Sequence, residues 1–250
     1  MSNIIMHGKG ITKKFGGVIA VNNVDFYLQK NEILGVIGPN GAGKTTLINL
    51  ICGTYPLTSG ELYFENYNIS SFDSSKLGSL GIARTFQIVK PFKNLKVAEY
   101  VVIGALFGSS NKNFKEARES AEEVLNFMGM YEKRDYYGDE LTIGQVKLLE
   151  LARAIAMNSK IILLDELMAG LNSSEINDVL AIIAKLRIKG ITFLVVEHLM
   201  KVIMTISDRI LVMHQGGKIA DESPQEVCKD NLVIEAYLGK KYAKSIANNY

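Results

Sequence analysis

Apolar and polar residues alternate from Val18 to Leu28, and a period of two predicts a strand with one buried face. Ile33-Leu34-Gly35-Val36-Ile37 has no polar side chain at all, which predicts a strand buried on both faces. Thr45-Thr46-Leu47-Ile48-Asn49-Leu50-Ile51 then reads as a helix, and Gly60-Glu61-Leu62-Tyr63-Phe64 as another short strand. Strand-like sequence dominates from Ile11 to Tyr63, but the period changes between Pro91 and Asn158. There Val97, Val101, Val102 and Ala105 recur at helical spacing, as do Ala117, Ala121, Val124, Leu125 and Met128, so this stretch reads as a helical insert. Alternation of strand and helix resumes with Lys160 to Leu164, Ile191 to Val196 and Arg209 to Met213 as strands and Ser173 to Lys189 as a helix. Several strands with helical crossovers imply an α/β protein with a mainly parallel sheet covered on both faces.

Composition narrows this picture. A chain of 250 residues buries a substantial core in one or two domains, and a hydrophobic content of 48% excludes disorder. With 28 basic against 26 acidic residues the net charge is +2, so no nucleic-acid partner and no anionic lipid surface is implied. The uncharged run Tyr100 to Asn111 is too short for a bilayer, which takes about 20 apolar residues. Met1 to His7 lacks a basic region leading into an apolar stretch, so the chain reads as cytoplasmic, with any membrane attachment made through a protein partner. Cys52 and Cys228 each read as core residues rather than as a disulfide.

Chemistry enters with Gly38-Pro39-Asn40-Gly41-Ala42-Gly43-Lys44-Thr45-Thr46, which fits the phosphate-cradling spacing G-x-x-x-x-G-K-[ST]. Glycines let successive N–H groups surround an anion where a Cβ would block the approach. Lys44 would reach the outer phosphates of ATP, and the Thr45 hydroxyl would ligate the accompanying Mg²⁺. Strand, loop and helix occur in the required order. Ile161-Ile162-Leu163-Leu164 is a second fully apolar run and ends in Asp165-Glu166, as a buried strand opening into an active site would. Asp165 would hold Mg²⁺ through water, and Glu166, pointing to the other side, would orient or deprotonate the attacking water.

Leu141-Thr142-Ile143-Gly144-Gln145, followed by the helix-like Val146 to Met157 and then Asp165-Glu166, resembles the signature region of ABC-type ATPases, usually Leu-Ser-Gly-Gly-Gln. Nearly the whole chain can be laid on that family. The resemblance implies a P-loop NTPase fold with a RecA-like parallel-sheet core, an N-terminal antiparallel β-subdomain and an inserted helical subdomain. It would form one domain over 1–250, with 1–88 and 159–250 as the nucleotide-binding core and 89–158 as the helical part. Thr142, Gly144 and Gln145 would then form a second anion site from helix-start amides, facing the phosphate loop of another subunit. Thr142 keeps the hydroxyl of the usual Ser, Ile143 departs from Gly, and a plain Thr-capped helix start accounts for the pentapeptide about as well. The resemblance also assigns Gln87 to Mg²⁺, the water and the sensing of a membrane partner, His198 to a hydrogen bond on the γ-phosphate, and Phe15 to stacking on adenine. An ordinary polar strand end, a surface histidine and a core phenylalanine are the respective alternatives. Ala169-Gly170-Leu171-Asn172 falls where the family makes its dimer-contact loop, with Asn172 in place of a frequent Asp and Leu167 in place of a common Pro.

Gly81-Ile82-Ala83-Arg84-Thr85-Phe86-Gln87, running into Phe92-Lys93-Asn94-Leu95-Lys96-Val97, with Glu235-Ala236-Tyr237-Leu238-Gly239 later, looks most like the ATP-binding subunit of branched-chain amino acid importers. That implies ATP and Mg²⁺ as cofactors, a dimer with itself or with a sister ATPase, two transmembrane permease subunits, and indirectly a solute-binding protein. It places the chain at the cytoplasmic side of the membrane through those permeases. Urea or amide uptake, lipid export and a non-transport role such as iron–sulfur assembly are the alternatives. A regulatory module with little hydrolysis is a further one, against which Glu166 and His198 argue.

Overall fold

A computed structural model describes residues 3–85 and 94–238. In chain order the elements are β1 (Ile4–Phe15), β2 (Val18–Gln29), β3 (Ile33–Ile37), α1 (Lys44–Ile51), β4 (Ser59–Phe64), β5 (Tyr67–Asn68), α2 (Ser74–Leu80) and β6 (Ile82–Arg84). They continue with α3 (Val97–Leu106), α4 (Phe114–Phe127), α5 (Ile143–Ala156), β7 (Ile161–Asp165), α6 (Ser173–Ile188) and β8 (Thr192–Val196). Last come α7 (Met200–Ile206), β9 (Arg209–His214), β10 (Gly217–Glu222), α8 (Pro224–Val227) and α9 (Asn231–Leu238). The chain divides into two compact units, one made of residues up to Phe72 and from Leu194 onward, the other of Asp73–Phe193.

In the first unit β2, β1, β4 and β5 form an antiparallel sheet in that order, with Met6 opposite both Leu28 and Phe64. Met6, Leu28, Leu62 and Phe64 are all buried, so the alternation along these strands puts one face on the core. β1 begins well before Ile11, where the sequence reading started it. The cause is Gly8, which breaks the apolar period yet is required, since a Cβ there would lie 2.5 Å from the Phe26 ring. β3 is buried at all five positions and pairs in parallel with β9, Leu34 against Arg209 and Ile37 against Val212. β9 turns back antiparallel into β10 through Gln215-Gly216, both at positive φ, the geometry of a tight hairpin. β10 was not foreseen, because Gly-Lys-Ile-Ala-Asp-Glu carries a single buried residue. Arg209 fastens this region: Nε donates to Glu32 at 2.9 Å, Nη2 donates to the Tyr27 carbonyl at 2.7 Å, and the guanidinium lies over the Tyr27 ring.

In the second unit β6 and β7 pair in parallel, Ile82 with Ile161 and Arg84 with Leu163. β7 is buried throughout, as its apolar sequence demands. The helical stretch consists of α3, α4 and α5, whose inward positions Val97, Val101, Ala105, Ala117, Ala121, Leu125, Leu149 and Ala152 are all buried. Gly104 lets α3 approach α5 closely, because a Cβ there would stand 2.6 Å from the Arg153 carbonyl. Each long helix starts on a side-chain cap: Asn113 with Glu116 on α4, Thr142 with Gln145 on α5, Asn172 with Glu175 on α6. Parallel strand pairs, helical connections and an antiparallel sheet at the N-terminal end match the α/β architecture read from the sequence. Among the described residues no helix is long and apolar enough to cross a membrane. Neither cysteine is in a disulfide, but only Cys52 is buried; Cys228 is exposed at the end of the short α8, so its reading as a core residue is corrected.

Candidate active site

The phosphate loop is held open by its own backbone. Gly38 has φ 152° and would bring a Cβ to 2.2 Å from the Met213 carbonyl; Gly43 has φ 104° and would bring one to 2.4 Å from the Ala20 carbonyl. Only glycine fits either place. Ala42 donates its N–H to the Pro39 carbonyl at 3.1 Å and accepts at its own carbonyl from Gly216 at 3.0 Å, which ties the loop to the β9–β10 turn. Gly41 and Asn40 face solvent at the loop's crest. Lys44 is buried, and its ammonium donates to the Gly38 and Pro39 carbonyls at 2.7 and 3.1 Å, so the charge is drawn into the hollow of the loop rather than out into water. α1 starts without a side-chain cap, leaving its first-turn amides to an anion, with the exposed Thr45 hydroxyl and Thr46 beside them.

Phe15 is 44% exposed, which removes the core alternative. It meets Tyr55 edge to face at 5.4 Å, and the Lys13 ammonium sits over both rings while donating to the Pro56 carbonyl at 2.7 Å. Tyr55 was not singled out in the sequence, where an isolated tyrosine between Thr54 and Pro56 carries no pattern. Tyr237 entered the sequence reading only as part of the Glu235–Gly239 resemblance and not as a site residue: burial pushes its phenol up, while a hydrogen bond with the Gly38 backbone acts the other way. That contact brings α9 to the phosphate loop. His198, beyond the end of β8, is exposed and follows the buried Glu197. Gln87 lies outside the described residues.

The two carboxylates occupy the second unit. Asp165 closes β7 at 0% exposure, its N–H donating to the Thr85 hydroxyl at 3.4 Å and its carboxylate accepting from Arg84 Nη2 at 2.8 Å. Glu166 follows at 9% exposure with φ 52°, a left-handed backbone that costs a residue with a Cβ about 1–2 kcal/mol. Such strain persists only where the surroundings enforce it. Here Lys147 of α5 donates to the Glu166 carbonyl at 3.4 Å and to the Ala169 carbonyl, and the Ala169 N–H returns to Glu166 at 3.3 Å. Lys147 is the residue that fixes the turn, and nothing in the chain pointed to it beyond a lysine on the apolar face of a helix. Asn172 accepts from the Ser174 and Glu175 amides at 3.0 Å each, so the place where an Asp is frequent keeps its helix-capping oxygen.

At the signature, Thr142 Oγ1 accepts from the Gln145 amide at 3.3 Å, and the Gln145 side chain accepts from the Thr142 N–H at 3.1 Å. Gly144 is buried against Glu175, where a Cβ would come 2.4 Å from the carboxylate. Ile143 is 73% exposed. The capping function of Thr142 and Gln145 is thus visible in this chain, whereas their part in holding nucleotide is a separate matter. Taken separately, the buried Asp165 carboxylate of the second unit and the exposed Thr45 hydroxyl of the first are each the kind of hard oxygen donor that suits Mg²⁺, which takes few protein oxygens and completes its shell with water and phosphate.

The sequence profile of the ABC transporter family matches residues 21–169. The high-affinity branched-chain amino acid transport ATP-binding protein BraF of Pseudomonas aeruginosa is 37% identical, over 96% of this chain and 100% of that protein. Its counterpart LivG of Escherichia coli is 35% identical, again over 96% and 100%. Among solved structures, a nucleotide-free ATP-binding cassette from an ABC transporter superimposes with a TM-score of 0.86 at 32% identity, over 95% of this chain and 100% of the other. Another cassette, in its ADP conformation, gives 0.84 at 33% identity, over 95% and 99%. At these identities and coverages the chain belongs to the ABC transporter family, as one of its ATP-hydrolysing subunits.

Proposed function

We propose that the chain powers an importer of branched-chain amino acids, working as a dimer of ATPase subunits, with itself or with a sister chain, beneath two permeases at the cytoplasmic side of the membrane. The observation that carries this reading is similarity along the whole length to proteins named for that transport, 100% of each being covered. Phe15, with Tyr55 beside it, offers the adenine a ring to stack on. The loop from Gly38 to Gly43 and the first turn of α1 through Thr46 wrap the phosphates with backbone amides, and Lys44 exchanges its hold on the Gly38 and Pro39 carbonyls for the outer phosphate oxygens. Thr45 and Asp165, with Gln87, would hold Mg²⁺, which supplies charge to offset that developing on the γ-phosphate. Glu166 accepts hydrogen bonding from the attacking water and takes its proton, while His198 steadies the terminal phosphate. Thr142, Gly144 and Gln145 would complete the nucleotide site of a second subunit. ATP binding closes such a dimer and hydrolysis reopens it, passing the motion to the permeases and, through them, to a solute-binding protein.

Reconstitution of the chain with its permeases in liposomes tests the reading. ATP on the side of the ATPase should drive uptake of leucine, isoleucine and valine delivered by the binding protein. Uptake of urea or an amide in their stead, or ATP hydrolysis with no transport, overturns it.

A further inference from the structure

Asp165 has no exposure to solvent, and a buried carboxylate is stable only with a charge set against it. Arg84, the last residue of β6, provides one: its Nη2 lies 2.8 Å from Asp165 Oδ2, and its side chain is only 10% exposed. The register of β6 on β7 fixes this meeting, because Arg84 stands opposite Leu163, two residues before Asp165. The backbone of Arg84 is itself anchored. Its carbonyl accepts from Arg153 Nη2 at 3.0 Å, and the same Nη2 donates to Glu150 at 3.0 Å. Glu150 also accepts from the Tyr100 hydroxyl of α3, whose ionisation is pushed up by burial and then by the Glu150 charge. The guanidinium is therefore placed by packed elements on several sides and is not a mobile surface arm.

We infer that Arg84 is a built-in stand-in for the metal, a positioning residue that neutralises the Asp165 carboxylate before metal–nucleotide arrives and so sets how strongly nucleotide binding depends on Mg²⁺. The inference rests on the reading of Asp165 as the carboxylate that holds the metal. A guanidinium and a divalent cation brought to one carboxylate repel each other, and the repulsion is strong in a site with little water. Mg²⁺ must consequently displace Arg84 or share Asp165 with it, and either requirement weakens the metal's contribution. A lysine at the same place would keep the charge but lose the planar fork and some reach.

The experiment uses the full chain and a fluorescent, non-hydrolysable ATP analogue, and reads the ratio of its Kd in chelator to its Kd in saturating Mg²⁺. Arg84→Gln should raise this ratio about ten-fold, because the competitor is gone and the bare carboxylate repels metal-free triphosphate. Arg84→Lys should raise it about three-fold, and it decides the matter should Arg84→Gln fail to fold. A ratio that is unchanged or lower in the folded Arg84 variants overturns the inference. Asp165→Asn separates the two layers: it should collapse the ratio toward one. If it leaves the wild-type ratio intact, the metal role of Asp165 is wrong and the inference goes with it; if it collapses the ratio while the Arg84 variants match wild type, only the inference fails.

Discussion

The start of α1 is shaped by backbone alone, whereas the start of α5 is closed by side chains. At α1 two glycines in left-handed conformations, pressed against the Met213 and Ala20 carbonyls, set the loop, and no side chain caps the helix. At α5 Thr142 and Gln145 satisfy each other's amides, which stabilises a helix by about 1 kcal/mol with nothing bound. α1 forgoes that stabilisation and keeps its amides for an anion. The difference separates a cradle formed in advance for phosphate from a helix end that is stable by itself and to which a phosphate is an addition.

If binding is governed at helix starts and chemistry elsewhere, Glu166→Gln should leave nucleotide affinity near wild type while lowering turnover 10²–10³-fold, the usual cost of losing one electrostatic catalytic group. Equilibrium nucleotide binding beside steady-state phosphate release checks it, and undiminished release would remove Glu166 from the mechanism. Gly43→Ala strikes the preformed cradle, forcing a Cβ to 2.4 Å from the Ala20 carbonyl at φ 104°. Nucleotide should bind about 30- to 100-fold more weakly, on the order of 2–3 kcal/mol, by calorimetry. Affinity within a factor of two of wild type would mean that the loop is not preorganised. Thr142→Ala gives the smallest effect, a loss of about 1 kcal/mol that lowers the melting temperature by roughly 2–4 °C without weakening nucleotide binding to the isolated chain, while Thr142→Ser stays within a few tenths. A loss of nucleotide affinity in the isolated chain would erase the distinction between the two helix ends.

Local pattern revealed those parts of the molecule that local physics decides. β3, α1, β7 and α6 begin and end within a residue or so of where uninterrupted apolar runs and capping residues put them, and the apolar spacing of Val97 to Ala105 and Ala117 to Met128 corresponds to buried helix faces. Ile4 to Gly10 and β10 were not legible, because Gly8 is demanded by the distant Phe26 ring and β10 is held by pairing to β9 more than by burial. The phosphate loop was readable because its glycine, lysine and threonine spacing is contiguous in the chain, even though the carbonyls that demand Gly38 and Gly43 come from Met213 and Ala20. Arg84, Lys147 and Tyr55 were not, since each acts through a partner 19 or more positions along the chain, and nothing in a single sequence pairs them. One weak sign existed: a charged residue ending the apolar Ile82-Ala83 strand needed a counter-charge, and Asp165 was available.

The left-handed backbone at Glu166 sets stability against activity at a single position. Glycine would adopt that conformation freely and asparagine more easily than glutamate, so either replacement relaxes the turn while removing the group that handles water. A laboratory lineage selected only for heat tolerance would drift toward inert cassettes, and the glutamate survives there only while its work is also being selected.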